Sequence, residues 1–328
     1  MRWFLRRLCF YVLALWVAVT LNFALPRLMP GSPIGGILQR LTPSQIQGNP
    51  GIIQTYEAML GGGHESLPRA YVTYLHNVSH LDFGISTSNY PTRVSEVIGR
   101  TLPYSIFLVG VAFLISFVLG VTIGMIAAWR RGGLFDKIAV PSLLAVAAFP
   151  AFFTSLLGVY FLGLKLGWFP IQHAYDSGVV PGYNWTFISS AIRHAELPIL
   201  VIVLVFTGGW VLNMRTVMIN TIGEDYVAMA QAKGLRDRRV MTRYAGRNAI
   251  LPPLNGFAAL FASAVGGLVF IEFVFSYPGA GFTLQQAALG ADYPLTQGLL
   301  LVFAVCVILA NLIMDLVNVV LDPRVRTA

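Results

Sequence analysis

Charged residues are scarce in this sequence. They make up 11% of its 328 residues, whereas a soluble protein carries about 25%. A larger core cannot account for the deficit, because a soluble surface still needs charge. Hydrophobic residues make up 56% of the chain. The composition therefore indicates a membrane protein with a large lipid-facing surface.

Lysine is also rare, since only three of the 22 basic residues are lysines (Lys137, Lys165 and Lys233). None of them follows a glycine, so the sequence lacks a Gly-Lys-Ser/Thr phosphate-binding loop. A Gly-x-Ser-x-Gly nucleophile turn is missing too. We therefore expect no enzymatic activity, no ATP site of the P-loop type and no cofactor in this chain.

Cysteine and paired metal ligands are few. The two cysteines, Cys9 and Cys306, lie in apolar runs, so a disulfide framework is not expected. His76 and His80 are four residues apart and could share a helical face. A zinc site needs further ligands at suitable spacing, and we therefore predict no metal site.

Six uncharged stretches are long enough to cross a membrane, which takes about 20 apolar residues. They cover residues 8–26, 101–129, 138–164, 197–214, 248–271 and 293–314. We predict an all-α membrane protein with six transmembrane helices, because lipid cannot satisfy an open backbone. A seventh uncharged stretch, 177–192, is short and rich in turn residues, so we predict a loop outside the membrane.

The distribution of basic residues predicts the orientation. Most of them fall at the two termini and in the loops after the second and fourth spans, which favours the cytoplasmic side for these segments. The chain then divides into a first transmembrane helix (1–30), an external segment (31–94), a five-helix domain (95–321) and a cytoplasmic tail (322–328). Both termini are expected to be cytoplasmic.

The cytoplasmic loop between the fourth and fifth helices has the pattern of a short helix, with acids at its start, small residues within it and a glycine at its end. The predicted segment comprises Glu224, Asp225, Tyr226, Ala228, Ala230, Ala232, Lys233, Gly234 and Leu235. A slim helix of this kind can lie in a groove of another protein. The alternative is a solvated basic loop without a partner.

Two further patterns follow this segment. Val240, Met241 and Tyr244 would share one face of a second helix. Pro252 and Pro253 mark the start of the fifth span, because proline suits the first turn of a helix.

Several motifs together resemble those of the oligopeptide/dipeptide-type permeases of binding-protein-dependent ABC importers. In chain order they are LMPGSP (28–33), LDFGIS (81–86), LGWFP (166–170), DYVAMAQAKGL (225–235), EFVFSYPGAG (272–281), DYP (292–294) and DPR (322–324). One feature departs from the wider family, whose docking signature begins Glu-Ala-Ala. Residues 229–231 read Met-Ala-Gln, and the acids lie earlier, at Glu224 and Asp225.

This resemblance implies a type I ABC importer permease fold in a prokaryotic cell membrane. Two homologous permease subunits would form the pore, and each would lay a coupling helix, here 224–235, in a cleft of a cytoplasmic ATPase that binds ATP and Mg. An extracytoplasmic binding protein would deliver the substrate. Peptides are the first expectation, with oligosaccharides, nickel chelates and haem as alternatives. Nucleic acid is not an expected partner.

Candidate pore or gate residues are Glu272, Gly208 and Gly209. Glu272 could contact substrate, since ionisable groups in membrane segments are often functional, or it could pair with the turn after it. Gly208 and Gly209 could loosen the fourth helix or allow close packing. Gly120 and Gly124 have the spacing of a helix-packing pair.

Two rival functions have distinct signatures. A self-sufficient secondary carrier should show repeated halves and interrupted helices around charged residues at the midplane. An intramembrane enzyme should show a catalytic set. We recognise none of these features in the sequence.

Overall fold

The computed structural model describes residues 2–28 and 66–321, and its helices are numbered here in chain order. They are α1 (Arg2–Leu28), α2 (Leu67–Ser79), α3 (Val94–Trp129), α4 (Leu134–Ala147), α5 (Ala151–Gly158, continued by a π-helical turn, Val159–Lys165), α6 (Trp185–Ile222), α7 (Asp225–Ala232), α8 (Asp237–Arg239, then π-helical Val240–Ala245, then Gly246–Ala249), α9 (Leu251–Val274), α10 (Ala280–Leu289) and α11 (Tyr293–Leu321). The predicted external segment lies outside the described residues up to position 65, as does the predicted tail.

Within the described ranges, four helices are long and apolar enough to cross a membrane: α1, α3, α6 and α11. This confirms the prediction of a helical membrane protein. The predicted fifth span corresponds to α9, which begins with prolines in its first turn as expected. Its apolar part within the described residues, Leu260–Val274, is shorter than a full span, so the count of six remains a prediction.

The predicted third span is not a continuous helix. It consists of α4 and α5, which are bent by 100° at the break between Ala147 and Ala151. Pro150 lies in the break, where its ring disfavours helical geometry at Phe149. The prediction of one continuous helix over 138–164 was therefore wrong. No charged residue occurs anywhere in 138–164, so the break lacks the charges expected of a secondary carrier.

The predicted loop over 177–192 was also wrong in its second half, because α6 begins at Trp185. The side-chain oxygen of Asn184 accepts a hydrogen bond of 2.7 Å from the backbone N–H of Phe187. This is the geometry of a helix N-cap, for which asparagine is among the preferred residues. Asn184 therefore starts a helix where the sequence pattern indicated a turn.

The chain divides into two compact units, one comprising Met1–Ser105 with Gly279–Ile308 and the other Ile106–Pro278 with Leu309–Ala328. In the first unit, Asn22 of α1 exchanges two hydrogen bonds with Gln297 of α11. Its Nδ2 donates to the carbonyl of Gln297 (2.9 Å), and the Nε2 of Gln297 donates to the carbonyl of Asn22 (3.0 Å). Thr20 shares a 2.7 Å hydrogen bond with the hydroxyl of Tyr71 in α2. These bonds hold α1 against both neighbours.

The second unit contains the packing glycines. A Cβ atom on Gly120 would lie 2.2 Å from the Cβ of Trp210, and one on Gly124 would lie 2.6 Å from the carbonyl oxygen of Val211. Only glycine allows α3 and α6 to approach so closely. The predicted role of the Gly120 and Gly124 pair is confirmed.

Asp292 is a buried acceptor that ties together the first unit. It is completely buried. One carboxylate oxygen accepts from the hydroxyl of Ser86 and from the backbone N–H of Ser88 (2.8 Å). The other accepts from the N–H of Leu295 (3.2 Å) in the first turn of α11. The carboxylate thus fixes the segment before α3 to the start of α11.

Replacing Asp292 with alanine should destabilise the folded protein, because three donors lose their acceptor. Two of these donors, the Ser86 hydroxyl and the Leu295 N–H, are buried. Leaving each of them unsatisfied costs about 1–3 kcal/mol, so the midpoint of thermal unfolding should fall by at least about 4 °C. Unfolding of the purified protein in detergent measures this. Asp82→Ala is the control, since Asp82 is exposed and its carboxylate accepts a single hydrogen bond within the described residues, from the N–H of Gly84. Equal midpoints for the two variants would contradict the assigned role of Asp292.

Candidate functional site

The segment between α6 and α8 begins with a short, sharply defined helix. Glu224 occupies the N-cap of α7 with extended backbone, and its carbonyl accepts the N–H of Val227 (2.9 Å). Asp225 lies in the first turn, where the positive end of the helix favours a carboxylate. The predicted helix is therefore present, and two residues separate it from the end of α6.

The helix ends in a Schellman motif. The N–H of Gly234 donates to the carbonyl of Gln231 (2.8 Å), and the N–H of Leu235 donates to the carbonyl of Ala230 (3.4 Å). Gly234 has φ +69, in the left-handed region that glycine adopts without strain. The sharp exit predicted at Gly234 is confirmed, and a side chain there would enter open space.

One face of α7 is fixed to the core of the second unit. Val227 and Ala230 are 0% and 2% exposed. They belong to a buried apolar cluster drawn from α3, α6 and α8, whose other members are Val121, Ala128, Met214, Met218, Val240, Ala245 and Ala249. The Nδ2 of Asn248 also donates to the hydroxyl of Tyr226 (2.9 Å). The helix is therefore held by apolar packing on its inner face.

The opposite face of α7 is exposed. It consists of Asp225, Ala228, Met229 and Ala232, whose spacing places them on one side of a helix. Met229 is 61% exposed, and the residues beside it are small. We call these four residues the outer stripe. It is a slim surface with one flexible apolar side chain.

The exit from α7 is flanked by positive charge. The exposed basic residues between α7 and α9 are Lys233, Arg236, Arg238, Arg239, Arg243 and Arg247. Val240, Met241 and Tyr244 contact the same apolar cluster from α8, as predicted. The stretch therefore packs its apolar face inward and exposes its arginines.

Not all the residues predicted for this site lie on its surface. Ala230 is buried, and Leu235 packs partly buried against the same cluster. These two residues make the inner contact that accompanies a Schellman motif. Ala230 and Leu235 thus lie on the inner side of the predicted segment, whereas Ala228, Ala232, Lys233 and Gly234 are exposed.

The candidate gate residues are placed differently from one another. Glu272 is completely buried, and its backbone carbonyl accepts the N–H of Tyr277 (2.8 Å). A Cβ on Gly208 would lie 2.7 Å from the Cβ of Ala147, so this glycine allows α4 to approach α6 closely. Gly209 has open space around the corresponding position. A role in gating remains a prediction for all three candidates.

Sequence reasoning missed an ion pair near the start of α4. The Nε of Arg215 donates to Asp136 Oδ1 (2.6 Å), and its Nη2 donates to Oδ2 (2.9 Å). The N–H of Gly132 also donates to Oδ2 (3.0 Å). Asp136 is 7% exposed. In the sequence, Arg215 is one of the basic residues after the fourth span that predict the orientation. The available hint was an acid in the first turn of an otherwise apolar helix.

The described residues contain no group of three or more His, Cys, Asp or Glu side chains arranged to hold a metal ion. The rings of His76 and His80 lie 4.5 Å apart between their centroids. The Nδ1 of His80 is 2.8 Å from the carbonyl oxygen of His76. This local contact within α2 and its C-cap accounts for the close approach of the two histidines.

Comparison with known proteins places the chain in a family. Residues 120–327 match the family described as binding-protein-dependent transport system inner membrane component. The oligopeptide transport system permease protein OppB of Haemophilus influenzae is 30% identical over 99% of both chains. The corresponding protein AppB of Bacillus subtilis is 32% identical over 78% of this chain and 79% of its own length. A Brucella suis protein is 33% identical over 99% of both chains. This chain belongs to the family of binding-protein-dependent transport system inner membrane components.

Proposed function

We propose that this chain is one of two homologous permease subunits that form the pore of an ATP-driven peptide importer. It crosses a prokaryotic cell membrane six times with both termini in the cytoplasm. The names of OppB and AppB support the transport of peptides, and the basic loops support the orientation. The broken pair α4 and α5 accounts for the third span, and α9 for the fifth.

The single observation that carries the coupling role is the outer stripe of α7. A helix that transmits force needs a fixed inner face and a free outer one. Val227 and Ala230 supply the first, and Met229 with the alanines beside it supplies the second. A methionine side chain adapts to an irregular apolar pocket, and alanines let the backbone approach closely. The outer stripe docks in a cleft of a cytoplasmic ATPase, which binds ATP and Mg.

The adjoining arginines define the kind of cleft that accepts this helix. Five exposed arginines follow Lys233 within the next 14 residues, with Asp237 as the acid among them. A cleft with an acidic rim would steer association with this surface. The apolar outer stripe would then supply the close contact.

An extracytoplasmic binding protein delivers the substrate and selects it. Peptides are the proposed class, and oligosaccharides, nickel chelates and haem are the alternatives. The ligand that co-purifies with the cognate binding protein decides among them.

The function is tested in lipid vesicles that contain both permease subunits, the ATPase and an added binding protein. We expect ATP hydrolysis to rise when the binding protein carries peptide, and peptide uptake to require ATP. A secondary carrier predicts uptake by the permease alone without ATP. Hydrolysis that does not respond to the loaded binding protein would contradict the proposed function.

A further inference from the structure

α4 and α6 are joined along one face of each helix by contacts that run in antiparallel register. The Asp136–Arg215 ion pair makes the first contact. Val140 and Val211 share a buried cluster in the middle. The same two helix faces meet again near the end of α4, where Gly208 approaches Ala147 and Leu143.

The spacing shows that these contacts form one continuous seam. Residues 136, 140, 143 and 147 lie on a single face of α4, and residues 215, 211 and 208 lie on a single face of α6. The seam runs from the charged pair at the start of α4 to the 100° break at its end. We call this row of contacts the α4–α6 seam.

The same part of α6 also supports α7. Met214, which precedes Arg215, and Met218 are completely buried in the apolar cluster that contains Val227 and Ala230. α6 therefore carries α7 on one side and α4 on another. A displacement of α7 is therefore passed through α6 to α4 only if α4 and α6 do not slide along each other at the seam.

Apolar packing alone fixes that register poorly inside a membrane. Lipid tails are as apolar as the side chains in the seam, so no hydrophobic force opposes sliding. A bidentate arginine–carboxylate pair has a defined geometry, and the N–H of Gly132 adds a third bond to the same carboxylate. Sliding the helices by one turn would leave a buried charge unpaired, which is strongly unfavourable.

We propose that Asp136 and Arg215 are positioning residues that lock the α4–α6 seam, so that movement of α7 on its ATPase is delivered to the break between α4 and α5. The inference rests on the proposed function of α7. The lock sets how much transport each ATP drives. It touches neither ATP nor substrate.

The experiment uses the complete importer in proteoliposomes and measures peptide uptake per ATP hydrolysed. Asp136→Asn and Arg215→Gln each remove one charge. The exchange variant, Asp136→Arg with Arg215→Asp, restores a pair of opposite charges. We expect each single variant to lower uptake per ATP by about two- to thirtyfold while hydrolysis continues. This is the range of effects that mutations have on the coupling between distant sites. The exchange variant should recover part of the loss.

Glu96→Gln is the matched control, because Glu96 pairs with Arg100 in an exposed position of α3. It should leave uptake per ATP unchanged. A thermal unfolding midpoint is recorded for every variant, so that simple destabilisation is recognised. A destabilising effect alone would lower uptake and hydrolysis together and leave their ratio unchanged.

The outcomes distinguish failure of the proposed role of the ion pair from failure of the docking role of α7. A photoactivatable residue at position 229 is tested for a covalent adduct with the ATPase in the same preparations. If the adduct forms and the single variants keep the normal ratio, the lock is wrong and the docking role stands. The lock is also wrong if the exchange variant is no better than the single ones. If the adduct does not form, the docking role fails and the lock fails with it.

Discussion

Replacing Gly234 with glutamate is expected to abolish ATP-driven uptake while membrane insertion continues. The backbone of the new residue would have to adopt φ +69, which costs a residue other than glycine about 1–2 kcal/mol. Its carboxylate would then lie at the edge of the docking surface and would meet the acidic rim proposed for the cleft. Like charges brought together at an interface cost several kcal/mol, so uptake in proteoliposomes should fall at least about a hundredfold.

Two comparisons isolate the cause of that loss. Gly234→Ala introduces the backbone strain without the charge and should reduce uptake much less. Gly178→Glu places the same residue at another exposed position of positive φ, φ +100, also with open space around it, and should leave uptake intact. Undiminished uptake by Gly234→Glu, with normal insertion, would remove the assignment of α7 as the coupling helix.

Replacing Gly120 with valine is expected to prevent folding of the second unit. The Cβ of any residue at this position would overlap the Cβ of Trp210 at 2.2 Å and approach the carbonyl oxygen of Thr207 to 3.2 Å. Neither atom is at the end of a flexible side chain, so α3 and α6 would have to separate. Trp210 also packs against the rings of buried Phe113 and partly buried Phe257, and the separation would disrupt these contacts.

The size of this effect follows from the packing it destroys. Overpacking alone costs about 1–3 kcal/mol and occasionally more, and the separated aromatic pairs add about 0.5–1.5 kcal/mol each. We expect little folded protein after purification in detergent, measured as the monodisperse fraction in size-exclusion chromatography. Gly110→Val in the same helix is the control, because no atom lies within 4 Å of its added Cβ. Equal yields of the two variants would contradict the close contact.

Composition and hydropathy predicted the membrane helices but not the break in the third one. Proline does not decide the matter by itself, since Pro103, Pro141 and Pro198 all lie inside helices. Pro150 instead lies between two helices bent by 100°. Whether a proline bends, breaks or merely occupies a helix depends on the groups that replace the lost hydrogen bond, and hydropathy does not reveal those groups.

Local sequence signals predicted where α7 begins and ends, but they did not predict which of its faces is buried. Acids at the start and Gly234 at the end predicted the helix and its exit. Ala228, Ala230 and Ala232 are identical residues, but Ala230 is buried and the other two are exposed. Alanine is small enough for either environment, so only the packing of Val227 and Leu235 reveals the inner face. Within the predicted segment, the structure therefore separates the inner residues Ala230 and Leu235 from the exposed ones.

The ion pair in the α4–α6 seam could not be predicted from the sequence. Asp136 and Arg215 are 79 positions apart. Each is explained locally, the acid by the start of a helix and the arginine by the positive-inside rule. A charged residue near a membrane surface is already explained by helix termini or by topology. The sequence therefore gives no reason to look for a distant partner. Only the antiparallel contact of α4 and α6 brings the two side chains together.

The central claim is that the outer stripe of α7 lies in a cleft of the partner ATPase, and a photo-cross-link from Met229 tests it most directly. A photoactivatable residue at position 229 should form an adduct with the ATPase, and the yield should change when ATP binds and closes the ATPase pair. The same residue at position 114, an exposed site within α3, should give no such adduct. Equal adduct yields from the two positions, or none from position 229 in an importer that still transports, would contradict the claim.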